Sequence, residues 1–210
     1  MSAAGEPRLF LALLATFIYA ITVHEASHAF VADRLGDTTA RFRGRLTLNP
    51  MSHLDVVGSL MLVAIGFGWG KAVPVNPINL RGDPRRGMAI VAAAGPAANL
   101  LSAVVFGLIL RAALADATEL EYWHLILQVL TLINLFLAIF NLIPVPPLDG
   151  FTLLLAFVHS DTAQRLGFYS RQIMMVFFGI VAVAYFLRHN LFSSVLTPPT
   201  QYLFRLILGG

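Results

Sequence analysis

The 210-residue chain contains no cysteine. Disulfides are excluded, and any zinc site must use His, Asp or Glu. Charge is also scarce: Asp, Glu, Lys and Arg make up 12% of the residues, against about 25% in an average domain. No long polar stretch, repeat or low-complexity linker occurs, so nothing reads as a separate soluble domain. The chain is instead 58% hydrophobic, with several apolar stretches approaching the roughly 20 residues a membrane helix needs. Its net charge of +3 does not imply nucleic acid, because the arginines cluster between apolar segments as membrane flanks do. These features imply one integral membrane domain over residues 1–210, surrounded by the lipid bilayer.

Within the first apolar run stands His24-Glu25-Ala26-Ser27-His28. Two histidines four apart on a helix project from one face, one turn above the other, and can share one zinc. Glu25 is placed beside them to act on a water, which is the His-Glu-x-x-His pattern of zinc peptidases. Residues 9–23 form an almost unbroken apolar run, and residues 29–32 continue it. Ionisable groups are costly in such a setting and read as functional. The competing reading is a solvated helix end with incidental histidines. Only Arg8 precedes the run, and cleavage after it would disrupt the motif, so it reads as a retained helix and not a signal peptide.

The pattern predicts an all-α polytopic bundle of about five to six transmembrane segments with a small re-entrant β element. Residues 9–32, 88–110, 124–143 and 168–187 read as spans, and residues 191–208 as a short span or a surface helix. Residues 41–48 alternate polar and apolar, which predicts a strand ended by Asn49-Pro50. Residues 56–69 are apolar but short, broken by glycines, and flanked by basic residues on both sides. That favours a re-entrant excursion over a crossing. Residues 71–80, with Pro74 and Pro77, read as extended chain with an edge-strand character. The basic segments 34–50, 71–86 and 159–171 are predicted to face the cytoplasm. The acidic segment 111–123, with Asp116, Glu119 and Glu121, is predicted to face outward.

A catalytic zinc takes three protein ligands and keeps one position open. Nothing else in the first segment supplies a third. Asp149 is the best candidate, since it lies in a proline-rich helix break between apolar stretches, where a carboxylate needs a partner. The alternative is that it caps the helix that restarts at residue 151, and it could do both through different oxygens. His53, His124, His159 and His189 read as interfacial, with His53 the first substitute if Asp149 is not a ligand.

The first motif is followed far downstream by Asn141-Leu142-Ile143-Pro144, then Asp149-Gly150. Together they resemble the site-2 protease family of intramembrane zinc metalloproteases. Ala94-Gly95-Pro96-Ala97-Ala98-Asn99 resembles that family's Gly-Pro helix. The resemblance covers residues 9–158 and implies a minimal form without PDZ or CBS domains and without an extra preceding helix. It implies one zinc per chain on His24, His28 and Asp149, with Glu25 as catalytic base and Asn141 as donor to the scissile carbonyl or oxyanion. It also implies that residues 66–80 present an edge to substrate through Val73 and Val75, with Asn99 also at the substrate. The expected substrate is the membrane-spanning segment of another protein, cut in regulated intramembrane proteolysis. The expected location is a bacterial-type plasma membrane, with the site opening to the cytoplasm. Two rivals are a zinc transporter or sensor and an inactive scaffold of the same fold. Glu25→Gln separates them, since it removes cleavage and leaves zinc bound.

Overall fold

The computed structural model describes residues 7–65, 68–115, 122–187 and 191–210. Three long helices form the centre: α1 (Pro7–Arg34), α4 (Pro84–Ala115) and α5 (Tyr122–Asn141). Between α1 and α4 lie the short α2 (Thr39–Phe42) and α3 (Val56–Ile65). After α5 come α6 (Asp149–Phe157), α7 (Ser160–Phe168), α8 (Ser170–Phe186) and α9 (Leu191–Leu208). The helix α4 is the hub, packing against α1, α5, α6 and α9. It turns Asn99, Ser102, Ala103 and Gly107 inward and leaves Leu101, Val105 and Leu108 exposed. Residues 101, 105 and 108 share one helical face. Small and polar residues inside with large apolar residues outside is the arrangement expected of a helix surrounded by lipid. At Gly107 a Cβ would stand 2.5 Å from Ile207 of α9, so glycine is what lets the two helices approach.

The helices α1, α4 and α5 are long and apolar enough to cross a membrane. The pair α7 and α8, bent by 60° at their junction, is a fourth candidate if counted as one broken span. Against the five to six spans expected, three or four helices among the described residues are long and apolar enough to cross. The 10 residues of α3 cover about 15 Å at 1.5 Å per residue, half the hydrocarbon thickness. The helix α9 has Pro198 and Pro199 inside it and does not reach the hydropathy of a span.

Two β expectations are also corrected. Residues 41–48 are not a strand: Arg43 N–H bonds Thr39 C=O, Arg45 N–H bonds Ala40 C=O, and Gly44 turns the chain with φ +66°. A period-two pattern this short has no partner here and loses to local helix closure. The expected re-entrant β element at 66–80 has no strand among its described residues; residues 66 and 67 lie outside them. One antiparallel bridge joins Leu54 to Gly70, and residues 71–76 then run outside any helix or strand, with Asn76 extended, into a turn at Pro77–Asn79. Pro74 and Pro77 each remove a ladder donor, so pairing stops early.

The first two basic segments meet at one end of the bundle, and Arg85 ties them to the end of α6, just before the third. Arg81 N–H donates to Leu35 C=O at 2.8 Å. Asp37 accepts from Asn76 N–H at 2.7 Å and from the Asn79 amide at 3.0 Å. Arg85 Nε–H donates to Leu155 C=O at 2.5 Å, and the same guanidinium bonds Val158 C=O. At the other end, Tyr122 donates to Arg8 C=O at 2.7 Å. The acidic residues expected outside, at 116–121, lie beyond the described residues.

Candidate metal centre and active site

The i, i+4 spacing puts His24 and His28 on the face of α1 that meets α4 and α6. They are 6% and 8% exposed, with ring centroids 4.7 Å apart in an edge-to-face arrangement. Gly95 on α4 makes room for them. A Cβ there would lie 2.4 Å from His28 Nε2 and 2.6 Å from His24 Cε1.

The outer nitrogen of each ring is fixed. His28 Nδ1 lies 2.7 Å from Val91 C=O, which can only accept, so Nδ1 carries the proton. His24 Nδ1 lies 2.6 Å from Asn99 Oδ1. The other end of Asn99 decides its orientation: Nδ2 donates to Ala20 C=O at 3.0 Å and to Asn134 Oδ1 at 2.9 Å. Asn134 is fixed in turn by donating to Leu130 C=O at 2.8 Å. His24 Nδ1 is therefore a donor too, and each neutral ring presents an Nε2 lone pair inward.

Those two Nε2 atoms stand 3.1 Å apart. Asp149 Oδ2 lies 3.1 Å from one and 3.3 Å from the other, buried and without a hydrogen-bond donor. Three lone pairs facing one point repel unless a cation sits between them. Nitrogen ligands of a tetrahedral zinc at about 2.0–2.1 Å stand about 3.3–3.4 Å from one another, so this donor set fits zinc. It is the one such group of His, Asp and Glu among the described residues.

Asp149 begins α6, but Leu148 occupies the cap position and no side chain caps the helix. Of the two readings left open by sequence, the geometry favours the ligand over the cap. Gly150 shapes the approach: a Cβ there would stand 2.3 Å from Leu142 C=O. His53 is buried elsewhere, donating from Nε2 to Thr47 C=O at 2.8 Å. His124 and His159 are not brought to the centre, and His189 lies outside the described residues.

Glu25 lies next to His24 on the chain but faces other neighbours. Its Oε2 accepts Val73 N–H at 3.0 Å. Its Oε1 is beside Gly70, where a Cβ would stand 3.6 Å from it and 2.7 Å from Ile21. Lys71, between these two, donates to His53 C=O at 2.8 Å and accepts from the Arg45 guanidinium. Arg45 is 6% exposed. Burial lowers its pKa from the ordinary value, while attraction to the Glu25 carboxylate opposes that shift.

The M50 peptidase family model matches residues 107–185. YwhC of Bacillus subtilis is 38% identical over 152 residues, covering 68% of this chain and 67% of its own. Rip2 of Mycolicibacterium smegmatis is 33% identical over 164 residues, covering 75% of this chain and 61% of its own. Rip2 of Mycobacterium tuberculosis H37Rv is 30% identical over 182 residues, covering 84% and 68%. All three are named for a zinc metalloprotease.

The chain belongs to peptidase family M50. This is the site-2 protease family, and the M50 chain is accordingly a zinc metalloprotease with apolar helices suited to a membrane. It spans about two thirds of the length of these relatives. No solved structure matches it significantly.

The remaining candidates of this peptidase fall in three places. Asn99, expected at the substrate, is fully buried behind His24, with both amide hydrogens taken by protein acceptors. Asn141 ends α5 and turns one amide hydrogen back to Leu137 C=O at 2.9 Å. Val73 meets Glu25 through its backbone, whereas the Val75 side chain packs against the cluster of Ala32, Leu80 and Val91. Sequence reasoning missed Arg45 and Asp37, which looked like ordinary loop charges. Asn134 is a polar residue within an apolar helix, and the same burial cost that flagged the histidines applies to it. Its pairing with Asn99 had no signal in sequence.

Proposed function

We propose that this M50 peptidase hydrolyses peptide bonds within or near the transmembrane segments of membrane proteins, in the manner of regulated intramembrane proteolysis. The observation that carries the reading is the convergence of His24, His28 and Asp149 on one point between apolar helices, with Glu25 on the adjoining face of α1. Zinc held there would activate a water near neutral pH and polarise a carbonyl.

The residues supply the rest. Glu25, fixed at Oε2 by Val73, keeps Oε1 for the water's proton and later passes that proton to the leaving amine as the C–N bond breaks. Asn141 has a second amide hydrogen that its bond to Leu137 does not use, and it suits a substrate carbonyl oxygen gaining negative charge. Asn99 and Val91 hold the two imidazoles in the tautomer a metal requires. A substrate helix hides its own carbonyls, so it must unwind, and residues 71–75 offer an extended neighbour for the opened chain. The cluster of basic segments at one end of the bundle supports a cytoplasmic opening in a bacterial plasma membrane.

The test is Glu25→Gln expressed in cells that lack the wild-type protein. The variant should keep one zinc per chain while a membrane protein accumulates uncut. Undiminished processing of every membrane substrate would remove Glu25 as base. Zinc-dependent ion flux with no cleavage would favour the transporter.

A further inference from the structure

Arg45 is a buried arginine in a loop. Arginines are rarely buried without a partner, and the hydrogen bond it makes, to Lys71 C=O, does not by itself require a positive charge. Its Nε is buried and has no acceptor. The chain brings it inward deliberately. Gly44, at φ +66°, reverses the backbone after α2, and Arg45 N–H closes on Ala40 C=O at 2.9 Å.

What Arg45 holds is informative. Both backbone groups of Lys71 are bound by the loop after α2: the carbonyl by Arg45 and the N–H by His53 C=O at 2.8 Å. Two residues on, Val73 N–H reaches Glu25 Oε2 at 3.0 Å. Three residues further, Asn76 N–H reaches Asp37. In extended chain, residues i and i+2 point their polar groups to the same edge and residue i+1 to the other. The edge holding Lys71 and Val73 is therefore committed to the protein. The other edge carries the N–H and C=O of Ala72 and the C=O of Pro74, and Ala72 is exposed.

We propose that Arg45 is a positioning residue for hydrolysis: by clamping the Lys71 carbonyl it sets the register of residues 70–73, so that Val73 N–H holds Glu25 Oε2 while the Ala72 edge stays open to an unwound substrate. One extended segment then links the place where substrate pairs to the group that moves the proton. The proposal rests on the protease reading for its catalytic meaning, but the clamp has its own readout.

That readout is amide hydrogen exchange of the zinc-loaded protein in detergent, followed by mass spectrometry on peptides covering residues 70–76. In Arg45→Met, exchange there should rise about tenfold or more while peptides of α4 and the zinc content stay unchanged. Arg45→Lys, which keeps a cationic donor, should restore most of the protection. The probe for activity is a fluorophore–quencher peptide with a Leu/Ala transmembrane segment broken by a central Asn-Gly. Its kcat should fall about tenfold or more in Arg45→Met, with KM rising as the pairing edge loses its register, and both should recover in Arg45→Lys. Unchanged exchange in Arg45→Met overturns the clamp, and so does an equal loss in Arg45→Lys. If Arg45→Met does not fold, Arg45→Leu, which also lacks a donor, takes its place in the same comparison. If the wild type leaves the probe uncut while exchange follows the expected pattern, the clamp is supported and the reading of cleavage within transmembrane segments fails.

Discussion

His24 and Glu25 are neighbours in sequence, yet they are held by different parts of the molecule. His24 is wired through side chains into the long helices: Asn99 of α4, then Asn134 of α5, then a helix carbonyl. Glu25 is held by the backbone of an extended segment, which Arg45 and His53 pin from a loop. A residue step on a helix turns the side chain by about 100°, so adjacent positions answer to different neighbours. The support of His24 lies in the long helices, where a buried polar network must be satisfied completely. The support of Glu25 lies on the kind of structure that can respond when substrate arrives. The difference teaches that holding the metal and performing the chemistry should be separable by mutation.

The largest effect should come from splitting the two halves outright. Asp149→Ala should lower zinc occupancy, measured by elemental analysis, by about tenfold or more and abolish cleavage. Glu25→Gln should keep full zinc and lose about 10²–10⁴ in rate. Full zinc in Asp149→Ala would dismantle the ligand set and turn attention to His53. Next comes Gly95→Ala. Its methyl would stand 2.4 Å from His28 Nε2, so zinc binding should fall steeply while the fold, followed by circular dichroism, persists. Gly179→Ala, with nothing within 4 Å, is the silent control. A normal zinc content in Gly95→Ala would mean that the histidine face can retreat from α4.

A smaller effect should come from the support behind His24. Asn99→Ala should weaken zinc affinity by about 10–100-fold, because the ring loses its tautomer anchor. Asn134→Ala, one bond further away, should cost less in the same competition assay with a chelator. Equal losses would show that the network acts as a unit.

The smallest expected effect concerns the loop half. Asp37 is fully buried. Burial pushes its carboxyl up, but the Thr39 hydroxyl, Asn76 N–H, the Asn79 amide and Thr39 N–H together hold it below the ordinary carboxylate range. A folded-state pKa below the unfolded one adds stability that is complete above the unfolded value, about 3.9, and is lost as pH falls through the folded value. Thermal unfolding of the wild type should therefore steepen its decline below about pH 4. In Asp37→Asn the protein should be less stable at neutral pH, with a shallower decline in that acid range. Parallel curves for the two proteins would remove Asp37 as the source.

Several features were legible in the residues alone. The spacing of His24 and His28 places both on one face of any helix, and a carboxylate at Asp149 beside a run of prolines has few inexpensive alternatives in an apolar chain. The lack of cysteine narrowed the ligand types before any fold was considered. The span count was less legible, because apolar composition alone does not reveal that α8 pairs with α7 across a 60° bend or that α9 carries two prolines inside one helix. The alternation at residues 41–48 misled for a related reason: a strand needs a partner edge, and pairing is not a local property.

The sequence by itself marked residues 24, 25, 28 and 149 as the candidates for the chemistry, because ligand type and helical periodicity follow from the covalent chain. Only the tertiary structure decided the rest. It moved Asn99 from the substrate to the back of His24, made Gly95 the space the imidazoles occupy, and brought Arg45 to the segment that holds Glu25. Each of these is a contact between residues at least 26 positions apart in the chain. Such contacts arise when several elements compete for the same buried volume, and no local preference encodes the outcome.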